Sequence, residues 1–562
     1  MNGLVDQLQG PDDDAITVTL LDTGVNRFHP LIAPALDAVD MHTVDEAWGT
    51  HDHHGHGTNM AGIALYRDLR NHPANQPVVL PHRLESVKTL PPNGHPATPP
   101  ELFGALTQQA VALCEISAPD RRRVICSTVS SQMHQDGLPS SYSAAVDQVA
   151  FSDGEDSRLV VLAAGNVPDE LWSSFAASNA TYGVEQPGQA WNALTVGAFT
   201  EMDLLPAGPN WVGWQPIAAA GDLSPFSATS CSWRKWPVKP EVVFEGGNVA
   251  IDPAGAVATP ASMQLLTTRR NFNISPIAHT NMTSPACVQA AALCADVMSE
   301  YPDLRAETVK ALVVHSARWT QRMFTRFLTD QTMAARAHLL RACGWGVPKR
   351  EAALNSVRNR VYVMVEDSLQ PFRQEGRDGK MNEMKVYFLP WPQEFLEALA
   401  DTPVRLRITL CYFIEPSPSK RGWVNRYRYS SHALRFDLRR NNETPAEFKK
   451  RVNAAMLAPD EHADNPADDG WLLGSKLRTH GSTHCDEWTG PAINLLSRDL
   501  LAVYPVIGWW RTCTERGQCE RPAHFSLVVS LEVQDAEVNL YSAIQTQLET
   551  PIAADLINTL GA

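Results

Sequence analysis

The sequence lacks any uninterrupted apolar stretch of about 18 residues, so no transmembrane helix is expected. Its opening, MNGLVDQLQGPDDDAITVTLLDTG, has no basic segment leading into an apolar one, which excludes a secretory signal. Basic charge is scarce. Lys and Arg number 47 against 62 Asp and Glu, a net charge of −15, which excludes nucleic acid as the main partner because phosphate binding needs clustered cations. There is no internal repeat and no low-complexity tract. Ten cysteines, Cys114, Cys126, Cys231, Cys287, Cys294, Cys343, Cys411, Cys485, Cys513 and Cys519, are scattered over the whole length and do not have the spacing of a small disulfide scaffold. Without a signal peptide, reduced thiols in a cytoplasm are the expectation. Cys513 and Cys519 are close enough to pair or to bind a metal, yet no second Cys/His pair lies near them. No carboxylate-rich loop of the calcium-binding kind is present, and Asp12, Asp13 and Asp14 read as a solvated lead-in to the first strand. Neither a cofactor nor a metal is therefore expected.

At 562 residues the chain is too long for one ordinary core, and two domains are expected. The first part alternates short apolar runs with helical patterns. Ile16 to Leu21, Leu84 to Leu90, Val124 to Ser127, Leu159 to Ala164 and Ala193 to Phe199 read as strands. Gly57 to Tyr66, Pro285 to Glu300 and Glu307 to Ala317 read as helices. This alternation predicts a doubly wound, mostly parallel α/β sheet with helices on both faces. Fully apolar strands such as LVVLAA suit a sheet covered on both sides. After about residue 355 the period becomes two. Val404, Leu406, Ile408 and Leu410 alternate with Arg405, Arg407 and Thr409; Leu434, Phe436 and Leu438, and Phe525 to Val533, behave alike. Such strands have one wet face, so a C-terminal antiparallel β-sandwich or jelly roll is expected over 358–562, after a first domain over 1–357. The polar stretch 440–485 reads as a long excursion.

Four short motifs carry the chemistry. Leu20-Leu21-Asp22-Thr23-Gly24 puts a carboxylate at the end of a strand, where open α/β sheets place their sites, although alone such an Asp is more often a turn residue. His54-Gly55-His56-Gly57-Thr58-Asn59-Met60-Ala61-Gly62 starts a helix at His56, with small residues for close packing. Its rival is a metal site made of His51, His53, His54 and His56, which the glycine-rich loop serves poorly for want of fixed i, i+4 geometry. Ala163-Ala164-Gly165-Asn166 ends a buried strand in an amide that could donate to an oxyanion, or in an ordinary turn. In Met282-Thr283-Ser284-Pro285-Ala286, Ser284 is either the cap of a helix with Pro285 in its first turn, or a nucleophile whose own N–H lies at a helix N-terminus that favours negative charge.

Taken together and in this order, the motifs resemble the subtilisin-like serine proteases, the subtilases. In that family the triad follows the chain order Asp, His, Ser. Asp22-Thr23-Gly24 matches the family's Asp-Thr-Gly, His56 to Gly62 its His-Gly-Thr-x-x-Ala-Gly, and Ala163 to Asn166 its Ala-Ala-Gly-Asn. Met282 to Ala286 matches Gly-Thr-Ser-x-Ala except at the first position. Weaker matches are Leu84 to Leu90, Lys239-Pro240-Glu241-Val242-Val243, and Gly344 to Val347 with Ala352 to Leu354, so the likeness spans about 14–356. The resemblance implies peptide-bond hydrolysis, with Asp22, His56 and Ser284 catalytic and Asn166 with the Ser284 N–H as oxyanion hole. It also implies an extended protein or peptide substrate bound along Thr128-Val129-Ser130, with Ala163, Ala164 and Gly165 opposite.

Two positions depart from the family. Met282 stands where the family has Gly, and Val288 where a Pro is usual four residues after the nucleophile. They motivate an alternative, a latent pseudoprotease or binding module acting through a protein partner. Only residues 1–15 precede the first strand, so the folding pro-segment usual in secreted subtilases is not expected. Over its full length, including Cys411 to Pro416 and Arg421-Gly422-Trp423, the chain also resembles a group of bacterial cytoplasmic subtilases often encoded beside an AAA-type ATPase, which implies such an ATPase as a partner.

Overall fold

A computed structural model describes residues 2–73, 76–132, 136–233, 235–354, 361–420, 423–457, 470–514, 517–533 and 554–558. The chain divides into two compact units. One comprises Met1–Ser152, Arg158–Val309 and Ala317–Arg350; the other comprises Asp153–Ser157, Lys310–Ser316 and Glu351–Ala562.

The first unit is built on an eight-stranded sheet. Its strands are β1 (Thr17–Asp22), β2 (Met41–Thr43), β3 (Arg83–Lys88), β4 (Arg123–Ser127), β5 (Leu159–Ala163), β6 (Leu194–Thr200), β7 (Asp222–Leu223) and β8 (Val242–Glu245). They lie in the order β7-β6-β5-β4-β1-β3-β2, with β8 also paired to β6. Every pairing is parallel except the short β7 with β6. All of β1, β5 and β6 is buried, as the apolar runs predict for a sheet covered on both faces. The register aligns the carboxyl ends: Asp22 lies opposite Lys88, and Leu21 opposite Ser127. The residues that follow β1 and β4 therefore emerge side by side.

Helices α1 (His56–Tyr66), α2 (Phe103–Ser117), α3 (Ser141–Phe151), α4 (Thr283–Glu300) and α5 (Ala306–Ser316) follow in chain order. Helix α4 is central. Thr283 to Met298 is buried throughout, and its run of Ala286, Ala290, Ala291, Ala292 and Ala295 lets it lie close against β4, β5 and β6. Cys287 on α4 and Cys126 on β4 meet with their sulfurs 3.7 Å apart, and all ten cysteines are free thiols.

The second unit contains two four-stranded antiparallel sheets. Its strands are β9 (Val361–Leu369), β10 (Glu383–Phe388), β11 (Pro403–Tyr412), β12 (Ala433–Leu438), β13 (Thr483–Pro491), β14 (Leu500–Val506), β15 (Ala523–Val533) and β16 (Ala554–Asn558). The sheets run β9-β15-β11-β13 and β12-β14-β10-β16. They meet where β9 touches β10 and β11 touches β12.

Two expectations for this unit are corrected. The polar face of β11 is not wet: Arg407 and Thr409 are buried. Residues 310–316 of α5 cover them. His315 Nδ1 lies 2.9 Å from Thr409 Oγ1 and its Nε2 2.7 Å from Ser530 Oγ, while Arg407 donates to the Val314 carbonyl at 3.2 Å and pairs with Glu487. Nor is 440–485 all excursion. It contains a helix, Pro445–Leu457, opened by a capping exchange in which Glu447 accepts from the Thr444 N–H at 2.8 Å and hydroxyl at 2.7 Å. Residues 458–469 of that stretch, and Arg421 and Gly422 of the Arg-Gly-Trp segment, lie outside the described residues.

Candidate active site

The site lies at the carboxyl end of the parallel strands, in the first unit. Asp22 closes β1 with its carboxylate 2% exposed. His56 opens α1, and its Nδ1 lies 2.8 Å from Asp22 Oδ2 and 2.9 Å from Oδ1. The carboxylate also accepts from the Thr23 N–H at 2.6 Å and from the Thr128 hydroxyl. Burial pushes the Asp22 carboxyl upward, but the His56 charge with hydrogen bonds from His56, Thr128 and Thr23 outweighs it, so its pKa lies below the usual carboxylate value. Burial likewise disfavours a charge on His56, and Asp22, helped by Asp52, overrides it, so the imidazole pKa is raised. The ring itself remains one-third exposed at the cleft, with a side-chain accessibility of 33%.

Asp52 is the supporting residue that the motifs do not single out. Its Oδ1 accepts from the Thr23 hydroxyl at 3.0 Å and from the N–H groups of His54 and Gly55 at 2.9 and 2.7 Å. Its Oδ2 accepts from the N–H and hydroxyl of Thr58 at 3.0 and 2.6 Å. One buried carboxylate thus gathers the turn before α1 and the Thr58 N–H of its first turn, and ties them to the strand end bearing Asp22. Gly57 completes the join, since a Cβ there would lie 2.1 Å from the Gly24 carbonyl oxygen. Lys88, buried on β3, donates to the carbonyls of Trp48 at 3.1 Å and His51 at 2.9 Å and so pins the loop that leads to His56. Among the described residues no three His, Cys, Asp or Glu side chains are grouped to hold a metal. The acid of the histidine loop, Asp52, is occupied by the helix start.

Ser284 lies in the first turn of α4, one residue inside its start. The helix begins at Thr283 and has no side-chain cap, so Ser284 is not the capping residue. Ser284 lines a cleft of about 400 Å³ together with Asp22, His56, Thr128, Ser130 and Asn166. No described hydrogen bond joins His56 to Ser284; such contacts are commonly long in unliganded enzymes. Asn166 follows β5, and its Oδ1 accepts from the Thr283 N–H at 2.9 Å and hydroxyl at 2.7 Å. With the oxygen held there, the amide NH₂ is the end left for the cleft.

The segments assigned to substrate differ from one another. Thr128, Val129 and Ser130 line the cleft, and Val129 and Ser130 make no backbone hydrogen bond among the described residues, which is an unpaired edge. The Thr128 side chain is engaged with Asp22. Ala163 and Ala164 are buried. The Ala164 N–H donates to Val196 O at 2.9 Å, its carbonyl accepts from Glu185 N at 2.9 Å, and the Gly165 carbonyl accepts from Ala228 N at 3.3 Å. This second segment is a wall rather than a second free edge.

Met282, where the family has Gly, adopts a backbone conformation that favours glycine. At φ 81° and ψ −164° it is in the left-handed half of conformational space, held by its N–H donating to the Gly246 carbonyl at 2.7 Å. Its side chain packs on a cluster of Val167, Trp172, Phe226 and Val249. Met282→Gly and Met282→Ala both lose that packing, but only Ala keeps the strained Cβ. The Gly variant should be the more stable by about 1 kcal/mol, reversing the usual ranking, in denaturant midpoints of the two proteins. Equal midpoints would mean that the backbone relaxes at no cost. Val288 is fully buried in α4.

No helix among the described residues is long and apolar enough to cross a membrane. Among curated proteins none matches the chain. Solved structures similar to it include a psychrophilic protease S41 at 19% identity, covering 55% of this chain and 85% of that one with a TM-score of 0.36. A lanthipeptide protease at 19% identity covers 61% and 88% with a TM-score of 0.39. Sphericase, at 19% identity, covers 55% and 85% with a TM-score of 0.36. The family comparison matches residues 13–346, more than half of the chain, to Peptidase_S8, the subtilase family. The chain belongs to the subtilase family.

Proposed function

We propose that this protein is a serine endopeptidase working through an acyl-enzyme. The observation that carries the reading is the bonding of His56 Nδ1 to the buried Asp22 carboxylate, in a cleft that Ser284 and Asn166 also line. The Ser284 hydroxyl attacks the scissile carbonyl while His56 Nε2 takes its proton and then hands it to the departing amine. Asp22 fixes the imidazole by its Nδ1–H and stabilises the imidazolium. The oxyanion receives the Asn166 NH₂ and the Ser284 N–H, at the positive end of α4. An extended substrate adds as a strand to the edge at 128–130.

Purified protein should take up a serine-directed fluorophosphonate and cleave a denatured protein substrate, and Ser284→Ala should do neither. Wild-type protein that neither labels nor cleaves would overturn the reading. Asn166→Leu should still label but lose about 10²–10³ in kcat with a peptide substrate, the usual effect of removing one oxyanion donor. A change under tenfold would take Asn166 out of the oxyanion hole.

The proposal extends to a cytoplasmic setting and an AAA-type ATPase partner, supported by the full-length resemblance alone; a candidate ATPase that forms no complex with this protein counts against it. Met282 gives the latent reading its footing, since a strained residue beside the nucleophile can hold a site off its working geometry. A stable partner complex unaffected by Ser284→Ala, on protein that does not label, would favour that reading.

A further inference from the structure

One acid that the catalytic reading leaves unused reaches the cleft lining through Ser130. Glu185 is 5% exposed and follows neither a catalytic motif nor an ion pair. Its Oε2 accepts from the Ser130 hydroxyl at 2.5 Å, and its Oε1 accepts from the Tyr182 hydroxyl at 2.9 Å. Ser130 belongs to the edge proposed for substrate. On the other side lies Gly165 in the opposing wall, at φ 95°, where a Cβ would come within 2.5 Å of Glu185 Cγ and 2.7 Å of Oε2. The carboxylate therefore bridges the two segments, bonded to Ser130 and packed against Gly165, the neighbour of Asn166. If a substrate adds to the edge at 128–130 with its scissile carbonyl at Asn166 and Ser284, the side chain before the scissile bond would lie near Ser130 and the acid behind it.

Both protein donors to Glu185 are neutral hydroxyls, and no cation pairs with it among the described residues. A buried carboxylate without a counter-charge is costly, and burial does raise its pKa. An incoming ammonium or guanidinium would supply the missing charge where water is excluded.

We propose that Glu185 is a specificity-determining residue that selects lysine or arginine immediately before the scissile bond. This rests on the protease reading of the site. Glu185→Gln is the informative variant, because the amide keeps the shape, accepts from one hydroxyl and can donate to the other, while removing the charge. Matched fluorogenic peptides with Arg, Lys, Leu or Phe at that position, and a plain alkyl fluorophosphonate, are compared on wild type and variant.

Wild type should prefer Arg or Lys over Leu by at least tenfold in kcat/KM. Glu185→Gln should lower kcat/KM for the basic peptides by at least about 30-fold, the effect of removing one partner of a buried charge pair, with the Leu peptide within about threefold of wild type. Labelling by the fluorophosphonate should be the same in both proteins. Labelled wild type that prefers Leu or Phe, or an Arg-to-Leu ratio unchanged by Glu185→Gln, overturns the specificity proposal and leaves the protease reading standing. Equal loss on all four peptides makes Glu185 merely structural and overturns it too. Absent labelling and cleavage with every peptide overturn both.

Discussion

Asp22→Asn should fold as wild type and lose about 10⁴-fold in kcat, with Ser284→Ala losing about 10⁶-fold, and the two losses should not add. Folding survives because Asn keeps the shape of Asp: its carbonyl can accept from the Thr23 N–H in the place of Oδ1, while its NH₂, in the place of Oδ2, can donate to the Thr128 hydroxyl, which is an acceptor as well as a donor. Catalysis fails because the carboxylate is an acceptor only, and it makes His56 carry its proton on Nδ1 and leave Nε2 bare toward Ser284. An amide can present its NH₂ instead, which favours the opposite tautomer. The check is single-turnover and steady-state kinetics on one peptide, beside matching thermal unfolding curves. An Asp22→Asn enzyme within tenfold of wild type would mean that His56 is oriented by something else, and Asp52 would be the next residue to test.

The same pair sets the acid limb of the pH profile. His56 must be neutral to take the Ser284 proton, and its pKa is raised by Asp22 against the opposing effect of burial. kcat/KM should therefore climb with pH through an apparent pKa above the ordinary imidazole value of about 6.5. In Asp22→Asn the larger raising influence is gone and only that of Asp52 is left against burial, so the residual activity should persist to lower pH than in wild type. A limb that stays in place in the variant would assign it to another group.

What could be read in advance follows from how chemistry constrains sequence. Asp22, His56, Asn166 and Ser284 each sit where a strand ends or a helix begins, and the small neighbours needed for close approach make short, ordered motifs of them. Asp52 and Glu185 are as deeply engaged, but each is a single acid in a loop. Glu185 meets Ser130 from 55 residues away, a partnership that no local pattern records. Some misses were legible. The helix Ser141–Phe151 opens with a capping exchange between Ser140 and Ser143, and Pro445–Leu457 with one between Thr444 and Glu447, both available as local signals. The polar face of β11 was not. Alternation tells that Arg407 and Thr409 lie on the other side of the strand from Leu406 and Ile408, but water and a polar element such as His315 leave the same pattern.

Lys239→Met should destabilise the first unit by about 3–5 kcal/mol, which lowers the thermal midpoint by roughly 10 °C. Lys239 and Glu241 are both buried, with side-chain accessibilities of 0% and 3%, and their charged atoms are 2.8 Å apart. The pair is built into the sheet. Lys239 Nζ also donates to the Ala193 carbonyl at 2.9 Å, and Glu241 Oε2 accepts from the Thr195 N–H at 2.7 Å. The two side chains thus bind the segment leading into β8 to the start of β6, the neighbour of β5, which Asn166 follows. Removing the ammonium takes a cation 2.8 Å away from a buried carboxylate, which raises the cost of keeping that charge out of water. Lys239→Met with Glu241→Gln removes both charges and retains an acceptor for the Thr195 N–H, so the double variant should recover about 2 kcal/mol of the single variant's loss. Thermal and urea unfolding of the wild type, both singles and the double close the cycle. If the double variant is no more stable than Lys239→Met, shape rather than charge holds this joint, and the Lys-Pro-Glu-Val-Val motif owes its place to packing alone.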